Sequence, residues 1–321
     1  MAYDIIGDLH GQADKLEALL RKMGYRNTPQ GWRHPERQAV FVGDFIDRGP
    51  HQLRTLAIVR NMVESGAALA VMGNHELNAI AWHTPHPEQE GEYLRNRFNE
   101  KGLKNRRQHA RFLEEIEHVP DVHGDMVAWF CSLPLWLDLP EIRVVHACWH
   151  DRFIDYLKPR LYAGNCLGEQ LFLETLRPPK DDAGQPVCGP TLYEAVNTIL
   201  RGPAVDLPYG LFFLDKDGTE RRKLRIRWWD CVNTTYVALG ILPGNINVLL
   251  PDEPIQDHVC PFIPSDKPIF FGHYWLTGEP QVLSPQMACV DYSAGKGGPL
   301  VAYRWEGESR LSDRHFVASE G

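Results

Sequence analysis

Short apolar runs and longer amphipathic segments alternate along the first quarter of the chain. Residues 3–6, 39–42 and 67–72 are apolar and β-prone, so each run predicts a buried strand. Between them, residues 13–23 and 53–64 carry apolar side chains at the spacing of a helix. Strands that alternate with helices predict a mostly parallel sheet, which binds ligands at the carboxyl ends of its strands.

Further along, the pattern changes twice. Residues 76–134 are charged and predict helices. Apolar runs then predict four more strands, at residues 142–145, 269–271, 288–291 and 300–305. The last three of these runs would complete the core that the first strands begin.

The stretch between these runs differs in composition. About half of the 24 prolines lie between residues 177 and 268, which predicts irregular structure. A helix is predicted at 192–200, and the sequence Asp215-Lys216-Asp217-Gly218 predicts a turn between short strands. We therefore expect one domain over residues 1–321, with a helical insertion at 77–135 and a cap or insertion at 151–266.

Composition narrows the class of protein. The 321 residues are 43% hydrophobic with a net charge of −8, so a general affinity for nucleic acids is not expected. No apolar run is long enough to span a bilayer, and the N-terminus has no secretory pattern. Seven cysteines without a C-x-x-C pair fit a reducing compartment better than a disulfide framework. We expect a soluble cytoplasmic protein with no membrane partner.

Each of the first three strands runs into a glycine-bearing loop that carries metal-binding side chains. The loops are Gly7-Asp8-Leu9-His10-Gly11, Gly43-Asp44-Phe45-Ile46-Asp47-Arg48-Gly49 and Gly73-Asn74-His75-Glu76. Asp8 and His10 are two residues apart, so they point the same way on an extended stretch. His146 and His273 follow two later predicted strands.

Together these strand ends offer two aspartates, one asparagine and three histidines. Oxygen and nitrogen donors without a thiolate suit a pair of divalent ions such as Mn²⁺ or Fe²⁺. Asp44 is the best candidate for a carboxylate that bridges two ions. Two ions a few ångströms apart would activate a bridging water and bind both oxygens of a displacement at phosphorus.

The motifs resemble those of the calcineurin-like metallophosphoesterase superfamily: G-D-x-H-G, G-D-x-x-D-R-G, G-N-H-[DE], a later strand-end histidine and a final G-H. The ending Asp47-Arg48-Gly49 and residue Glu76 are similar to the phosphoprotein phosphatase branch and its bacterial relatives. The resemblance implies an α/β sandwich of two mixed sheets flanked by helices. It is strong over residues 1–80 and weaker beyond them.

The resemblance also implies a role for each matching residue. Asp8 and His10 would bind one metal, Asp44 would bridge, and Asn74, His146 and His273 would bind the second metal. Arg48 and Asn74 would hold the phosphate, His75 would protonate the leaving group and Asp47 would orient His75. A second phosphate-binding arginine is expected at Arg227, with Arg225, Arg222 and Arg201 as alternatives.

One departure from the wider superfamily is visible. Many members end in G-H-x-H, whereas this chain has Gly272-His273-Tyr274-Trp275. The resemblance then implies that water completes the first metal. The two divalent ions are expected to be Mn²⁺, with Fe²⁺, Fe³⁺, Zn²⁺ and Mg²⁺ as alternatives.

The expected function is hydrolysis of a phosphoester by a metal-bridging hydroxide. The substrate would be a phosphoprotein, a nucleotide or a small phosphoester, and a phosphomonoesterase of the serine/threonine phosphatase type is the first expectation. A bis(5′-nucleosyl)-tetraphosphatase or another nucleotide hydrolase is the alternative. A non-catalytic metal-binding scaffold is a further alternative, but it would not need Asp47, Arg48 and His75.

Overall fold

The two largest sheets of the protein are both mixed and stand at the centre of the fold. The computed structural model describes residues 1–319 apart from residues 182, 183, 186, 188, 215–219, 243–247, 256–260 and 262–266. The predicted turn at Asp215-Lys216-Asp217-Gly218 lies outside the described residues. The predicted sandwich of two mixed sheets flanked by helices is confirmed.

The first sheet has five strands in the order β16-β15-β1-β4-β5. They are β1 (Ala2–Ile6), β4 (Arg37–Phe41), β5 (Ala68–Ala70), β15 (Val301–Trp305) and β16 (Phe316–Ala318). β1, β4 and β5 run parallel, with Ile6 opposite Phe41, whereas β15 pairs antiparallel with both β1 and β16. The three motif loops therefore leave this sheet at one edge.

The second sheet has four strands in the order β14-β13-β7-β6. They are β6 (Trp136–Asp138), β7 (Arg143–Val145), β13 (Ile269–Phe271) and β14 (Met287–Cys289). β7, β13 and β14 are parallel, and β6 is antiparallel to β7. The sequence pattern gave no sign of β6, which follows Pro134 and has only three residues.

A buried apolar layer lies between the two sheets. Ile5 and Val40 of the first sheet share one hydrophobic cluster with Val144, Phe270 and Ala288 of the second. The residues next to them in each strand point to the opposite face of the sheet. Many of these residues belong to a larger apolar cluster that also contains helix residues. This alternation follows from the two-residue period of a strand, and it fixes which strand ends face each other.

Ten α-helices lie outside the sheets in the described part of the chain. They are α1 (Ala13–Lys22), α2 (Gln52–Glu64), α3 (Asn74–His83), α4 (Asn99–Gln108), α5 (Ala110–Ile116), α6 (Pro120–Cys131), α7 (Asp151–Leu157), α8 (Phe172–Leu176), α9 (Leu192–Arg201) and α10 (Tyr236–Leu239). The predicted helices at 13–23, 53–64 and 192–200 match α1, α2 and α9 to within one residue at either end. No helix in the described ranges has the length and apolar character needed to cross a membrane.

Seven further short strands form three small sheets. They are β2 (Arg26–Thr28), β3 (Gly31–Arg33), β8 (Ala204–Asp206), β9 (Phe213–Leu214), β10 (Glu220–Arg221), β11 (Lys223–Ile226) and β12 (Gly240–Ile241), of which β2 pairs with β3, β9 with β10, and β8 and β12 with β11. Residues 204–255 enclose a separate apolar cluster that includes Leu224 and Leu239. The division into one domain with insertions at 77–135 and 151–266 stays a prediction.

Four cysteines of the described residues carry free thiols: Cys131, Cys148, Cys166 and Cys289. The expectation of a reducing compartment stays a prediction.

Candidate metal centre and active site

All six predicted metal ligands meet where strands of the two sheets end. Asp8 and His10 follow β1, Asp44 follows β4, Asn74 follows β5, and His146 and His273 follow β7 and β13. Each of the six residues is more than nine-tenths buried. Charged and polar groups at that depth need partners or a bound ion, because burial without either is costly.

Two groups of donor atoms share the Asp44 carboxylate. His10, Asp44 and His75 form the first donor group, and Asp44, His146 and His273 form the second. Within each group the candidate ligand atoms lie within 4.8 Å of one another. A single carboxylate between two such groups is the arrangement that a bridged pair of ions requires.

The second donor group converges on one point. Nε2 of His146 lies 3.4 Å from Asp44 Oδ1, 3.2 Å from Asn74 Oδ1 and 3.2 Å from His273 Nδ1. The other nitrogen of His146, Nδ1, donates to the Val42 carbonyl at 2.7 Å, which leaves the lone pair of Nε2 facing the group. Two imidazole nitrogens with a carboxylate and an amide oxygen fit a divalent ion of the Mn²⁺ or Fe²⁺ type.

The first donor group differs from the sequence prediction. His10 donates from Nδ1 to the Ile46 carbonyl at 2.9 Å, so Nε2 faces Asp44 Oδ2 at 3.8 Å. His75 Nε2 is also 3.8 Å from that oxygen. The group therefore contains His75, whereas Asp8 instead accepts hydrogen bonds from the His273 backbone N–H at 3.1 and 3.2 Å.

The carboxylates of the site have shifted proton affinities. Burial opposes ionisation of Asp44, but His146, His75 and His10 hold its pKa well below the usual value. For Asp8, burial and the nearby carboxylates of Asp291 and Asp44 raise the pKa well above the usual value. An excess of negative charge at Asp8 is what a bound cation would relieve.

The loops of the site adopt unusual backbone conformations. His10, Asp44, Asp47, Arg48 and His273 have φ values of 46°, 52°, 74°, 68° and 72°. This left-handed region is uncommon for residues other than glycine, and such strain concentrates at functional sites. The surrounding contacts must therefore hold these side chains in place.

Glu76 provides much of that support. Its buried carboxylate accepts hydrogen bonds from the backbone N–H groups of Asp44, Phe45 and Gly73, at 2.9, 2.8 and 2.9 Å. Burial and the neighbouring Asp44 raise the pKa of Glu76 to about 7. Glu76 thus fastens the loop after β4 to the loop after β5.

The same two loops approach so closely that glycine is needed in both. A Cβ on Gly43 would lie 2.6 Å from the Gly73 nitrogen, and one on Gly73 would lie 2.3 Å from the Asp44 nitrogen. Asn74 and His75 form the first turn of α3, so the expectation that His75 lies on a tight loop is wrong. The helix gives both side chains a rigid support.

His75 contacts a pair of further side chains. Its Nδ1 lies 2.5 Å from Asp47 Oδ2, and Asp47 in turn lies 3.0 Å through Oδ1 from His109 Nδ1. Burial opposes the charge on Asp47, yet His109 and His75 hold its pKa well below the usual value. The Asp47 carboxylate therefore stays ionised between two imidazoles.

The arginines of the site are only partly those predicted. Arg48 is exposed, and it makes no ion pair or hydrogen bond to a described residue. Arg227 is exposed as well and lies against the Ala238 carbonyl at 3.5 Å. The structure does not bring Arg227 to the donor groups, because it follows the last residue of β11 and projects from the surface.

Two of the alternative arginines, Arg225 and Arg201, act electrostatically on a predicted ligand. Burial lowers the pKa of His273, and the positive charges of Arg225 and Arg201 lower it further. Arg201 donates to Asn78 Oδ1 at 3.0 Å, one helical turn beyond Asn74. The Arg225 guanidinium lies 5.0 Å from the centre of the Trp275 ring.

Sequence reasoning missed His109 and Asp291. His109 stands at i−3, i−4 and i−7 from Phe112, Leu113 and Ile116, so it shares the buried stripe of a helix, and that spacing was a usable signal. Asp291 follows β14 and accepts from the backbone N–H groups of Trp275 and Ser293, at 2.6 and 3.0 Å. Its position at the end of the predicted strand 288–291 was the only signal.

Comparison with known families agrees with this geometry. The model of the calcineurin-like phosphoesterase family matches residues 1–183, more than half of the sequence. The chain therefore belongs to the calcineurin-like phosphoesterase family. Members of this family use divalent metals, and the two donor groups fit that chemistry.

The chain is also similar to bacterial proteins named bis(5′-nucleosyl)-tetraphosphatase PrpE [asymmetrical]. The protein of Halalkalibacterium halodurans is 46% identical over 76 residues, which cover 23% of this chain and 31% of that protein. The protein of Oceanobacillus iheyensis is 32% identical over 149 residues, which cover 46% of this chain and 55% of that protein. The chain thus spans between a third and about half of the length of these relatives.

Among solved structures, the fold is similar to that of a cold-active protein tyrosine phosphatase from a psychrophilic Shewanella species. The TM-score is 0.50 at 16% identity, and the alignment covers 99% of this chain and 80% of that chain. At this identity the likeness concerns the fold alone.

Proposed function

We propose that the protein is a metal-dependent phosphoester hydrolase. The observation that carries the proposal is the Asp44 carboxylate shared by two donor groups, with the His75–Asp47 pair directly beside it. Two divalent ions, when bound there, would supply activated water and withdraw charge from a phosphate. Phosphate binding and protonation of the leaving group would be carried out by side chains of the protein.

The residues that would hold the ions are those of the two donor groups. His10 and Asp44, with Asp8 close by, would hold the first ion, and Asp44, Asn74, His146 and His273 the second. Oxygen and imidazole donors favour Mn²⁺ in this proposal, with iron, Zn²⁺ and Mg²⁺ as alternatives. His75 Nε2 is the remaining candidate ligand for the first ion.

Arginine side chains would bind the phosphate. Arg48 is exposed without a described partner, so its guanidinium fork is free to bind two phosphate oxygens. The positive charges of Arg201 and Arg225 act on His273 and lower its pKa. Three cations around one metal centre provide more positive charge than a single phosphate group needs.

His75 would protonate the leaving group. Its Nδ1 is held by Asp47, so the proton available for transfer is on Nε2, which faces the site. As the bond from phosphorus to the leaving oxygen breaks, that oxygen takes the proton from Nε2. The neighbouring Asp47 carboxylate compensates the positive charge that His75 carries before the transfer.

For the substrate we propose a dinucleoside polyphosphate or a related nucleotide. The cation count supports several phosphate groups, and relatives are named bis(5′-nucleosyl)-tetraphosphatase. The expectation of a serine/threonine phosphatase type becomes the second candidate, since the likeness to protein phosphatase structures concerns the fold alone. A scaffold without activity would leave the His75–Asp47 pair without a role.

A substrate panel tests this proposal. The chelated protein should be inactive, and Mn²⁺ should restore more activity than Ca²⁺, because the donor set includes imidazoles that Ca²⁺ does not favour. With Mn²⁺, kcat/KM should be higher for diadenosine tetraphosphate than for a phosphoserine peptide or p-nitrophenyl phosphate. A reversed order would favour the phosphoprotein substrate. If protein with two bound ions turns over none of these substrates, the remaining hypothesis is the non-catalytic metal-binding scaffold.

A further inference from the structure

A second imidazole supports the His75–Asp47 pair from the far side. His109 lies where α4 ends and α5 begins, in the predicted helical insertion rather than in a strand-end motif. Its Nδ1 is 3.0 Å from Asp47 Oδ1 and 2.9 Å from Asp47 Oδ2, while His75 Nδ1 approaches Oδ2 at 2.5 Å. The three side chains form a line from the insertion to the metal centre.

The Asp47 carboxylate is fully buried and needs both imidazoles. Its exposed fraction is 0%, and the Asp47 backbone is fixed separately, through a hydrogen bond from its N–H to Gln52 Oε1 at 2.7 Å. A buried carboxylate with one donor is unstable as an anion and free to turn about its last bond. The second donor removes both problems.

His109 is poorly explained as a packing residue. The side chain is 1% exposed on a stripe otherwise made of Phe112, Leu113 and Ile116, where an apolar residue would cost less. Its Nε2 is buried without a hydrogen-bond partner among the described residues. The hydrogen bonds that the ring makes in the described structure go to Asp47.

We propose that His109 is a positioning residue that holds the Asp47 carboxylate so that Asp47 aims His75 at the leaving group. This inference rests on the proposed function, because it requires His75 to protonate a leaving oxygen. His109 belongs to neither donor group. Through it, the helical insertion controls leaving-group protonation at the metal centre.

The dependence of rate on the leaving group provides the test. His109→Phe keeps a ring of similar size but removes the N–H, so it should slow hydrolysis of phenyl phosphate by about 10–100-fold, as loss of a supporting hydrogen bond typically does. Hydrolysis of p-nitrophenyl phosphate, whose phenolate leaves without a proton, should change little. His75→Asn should show the same selectivity more strongly.

Two further variants separate positioning from folding. His109→Asn places an amide N–H near the position of Nδ1, so it should recover most of the lost rate on phenyl phosphate. His123→Asn is the matched control, because His123 is another buried histidine of the same insertion but packs against His83 and Phe112. This control should leave the rate on both substrates unchanged.

Equal losses on the two substrates, or loss of bound ions measured by elemental analysis, would overturn the role of His109. If His109→Phe does not fold, His109→Leu provides the same comparison. The proposed function fails separately, when wild-type protein with two bound ions turns over no substrate. If His75→Asn is selective for the leaving group and the His109 variants are not, only the present inference is wrong.

Discussion

The loops that carry the metal ligands and the region 204–255 are built in opposite ways. In the loops, buried polar side chains are held by many hydrogen bonds, and five non-glycine residues have positive φ. In the described part of 204–255, only Gly210 has positive φ, strands have two to four residues, and a small apolar cluster provides the core. Tyr209, Val232 and Leu249 are exposed there.

The difference indicates that the two regions contribute to the site in different ways. The loops hold their side chains against strain, because the donor atoms must keep fixed distances. Region 204–255 contributes through single side chains that reach inward, above all Arg225. Substitutions in the loops should therefore lower kcat. Substitutions in region 204–255 should change kcat/KM through substrate binding, or leave the kinetics unchanged.

The largest effect is expected for Asp44→Asn. The change keeps the shape of the side chain but removes the charge that both donor groups share. Loss of a general acid typically lowers kcat by about 10²–10⁴-fold, and we expect a larger fall here. Rates with Mn²⁺ and ion content by elemental analysis provide the measurement. Asp206→Asn is the control in the second region. Asp206 is exposed and forms a surface ion pair with Lys223 Nζ at 3.6 Å, and such pairs contribute little to stability. Near wild-type kcat in Asp44→Asn would exclude a bridging role.

An intermediate effect is expected for Arg225→Ala. One hydrogen bond to a charged phosphate contributes about 1.5–3 kcal/mol, which corresponds to about 10–100-fold in kcat/KM. Arg227→Ala, two residues along the same segment but exposed, should leave kcat/KM unchanged. Steady-state kinetics on diadenosine tetraphosphate would distinguish them. A larger loss in Arg227→Ala would restore the original sequence prediction.

The smallest effect is expected for glycine changes that test how tightly the loops pack. In Gly73→Ala the new Cβ would meet the Asp44 nitrogen and the Glu76 carboxylate, which should cost about 1–3 kcal/mol in the free energy of unfolding. Gly124→Ala places a methyl group in open space within α6 and should instead stabilise by about 0.5–1 kcal/mol. Urea unfolding of both variants measures the difference. Equal effects would show that the loops are not tightly constrained.

The sequence predicted what depends on local pattern. The strand at 269–271 agrees to the residue with β13, and the six residues predicted to bind metal come together, because glycine and polar residues at strand ends are visible in the chain itself. The predicted helical segment starts at residue 76, two residues after the true start of α3 at Asn74, although the capping contact from the Gly73 backbone N–H to Glu76 is local.

What the sequence could not decide depends on distant packing. Arg225 and Arg227 are two residues apart, but Arg225 lies in β11 and contacts Trp275, whereas Arg227 follows the strand and is exposed. His109 is 62 residues from Asp47, and no motif links them. The closeness of His75 Nε2 to Asp44 likewise depends on the contact between the loop after β4 and the start of α3.

The two donor groups that share Asp44 also differ in when the ribosome completes them. His10, Asp44 and His75 are all present once the first quarter of the chain has been made, whereas the second group waits for His273. Domains fold as units during synthesis, and β1 pairs with the late strand β15. The nascent chain therefore carries the residues of the first group long before the sheet that holds them in place is complete.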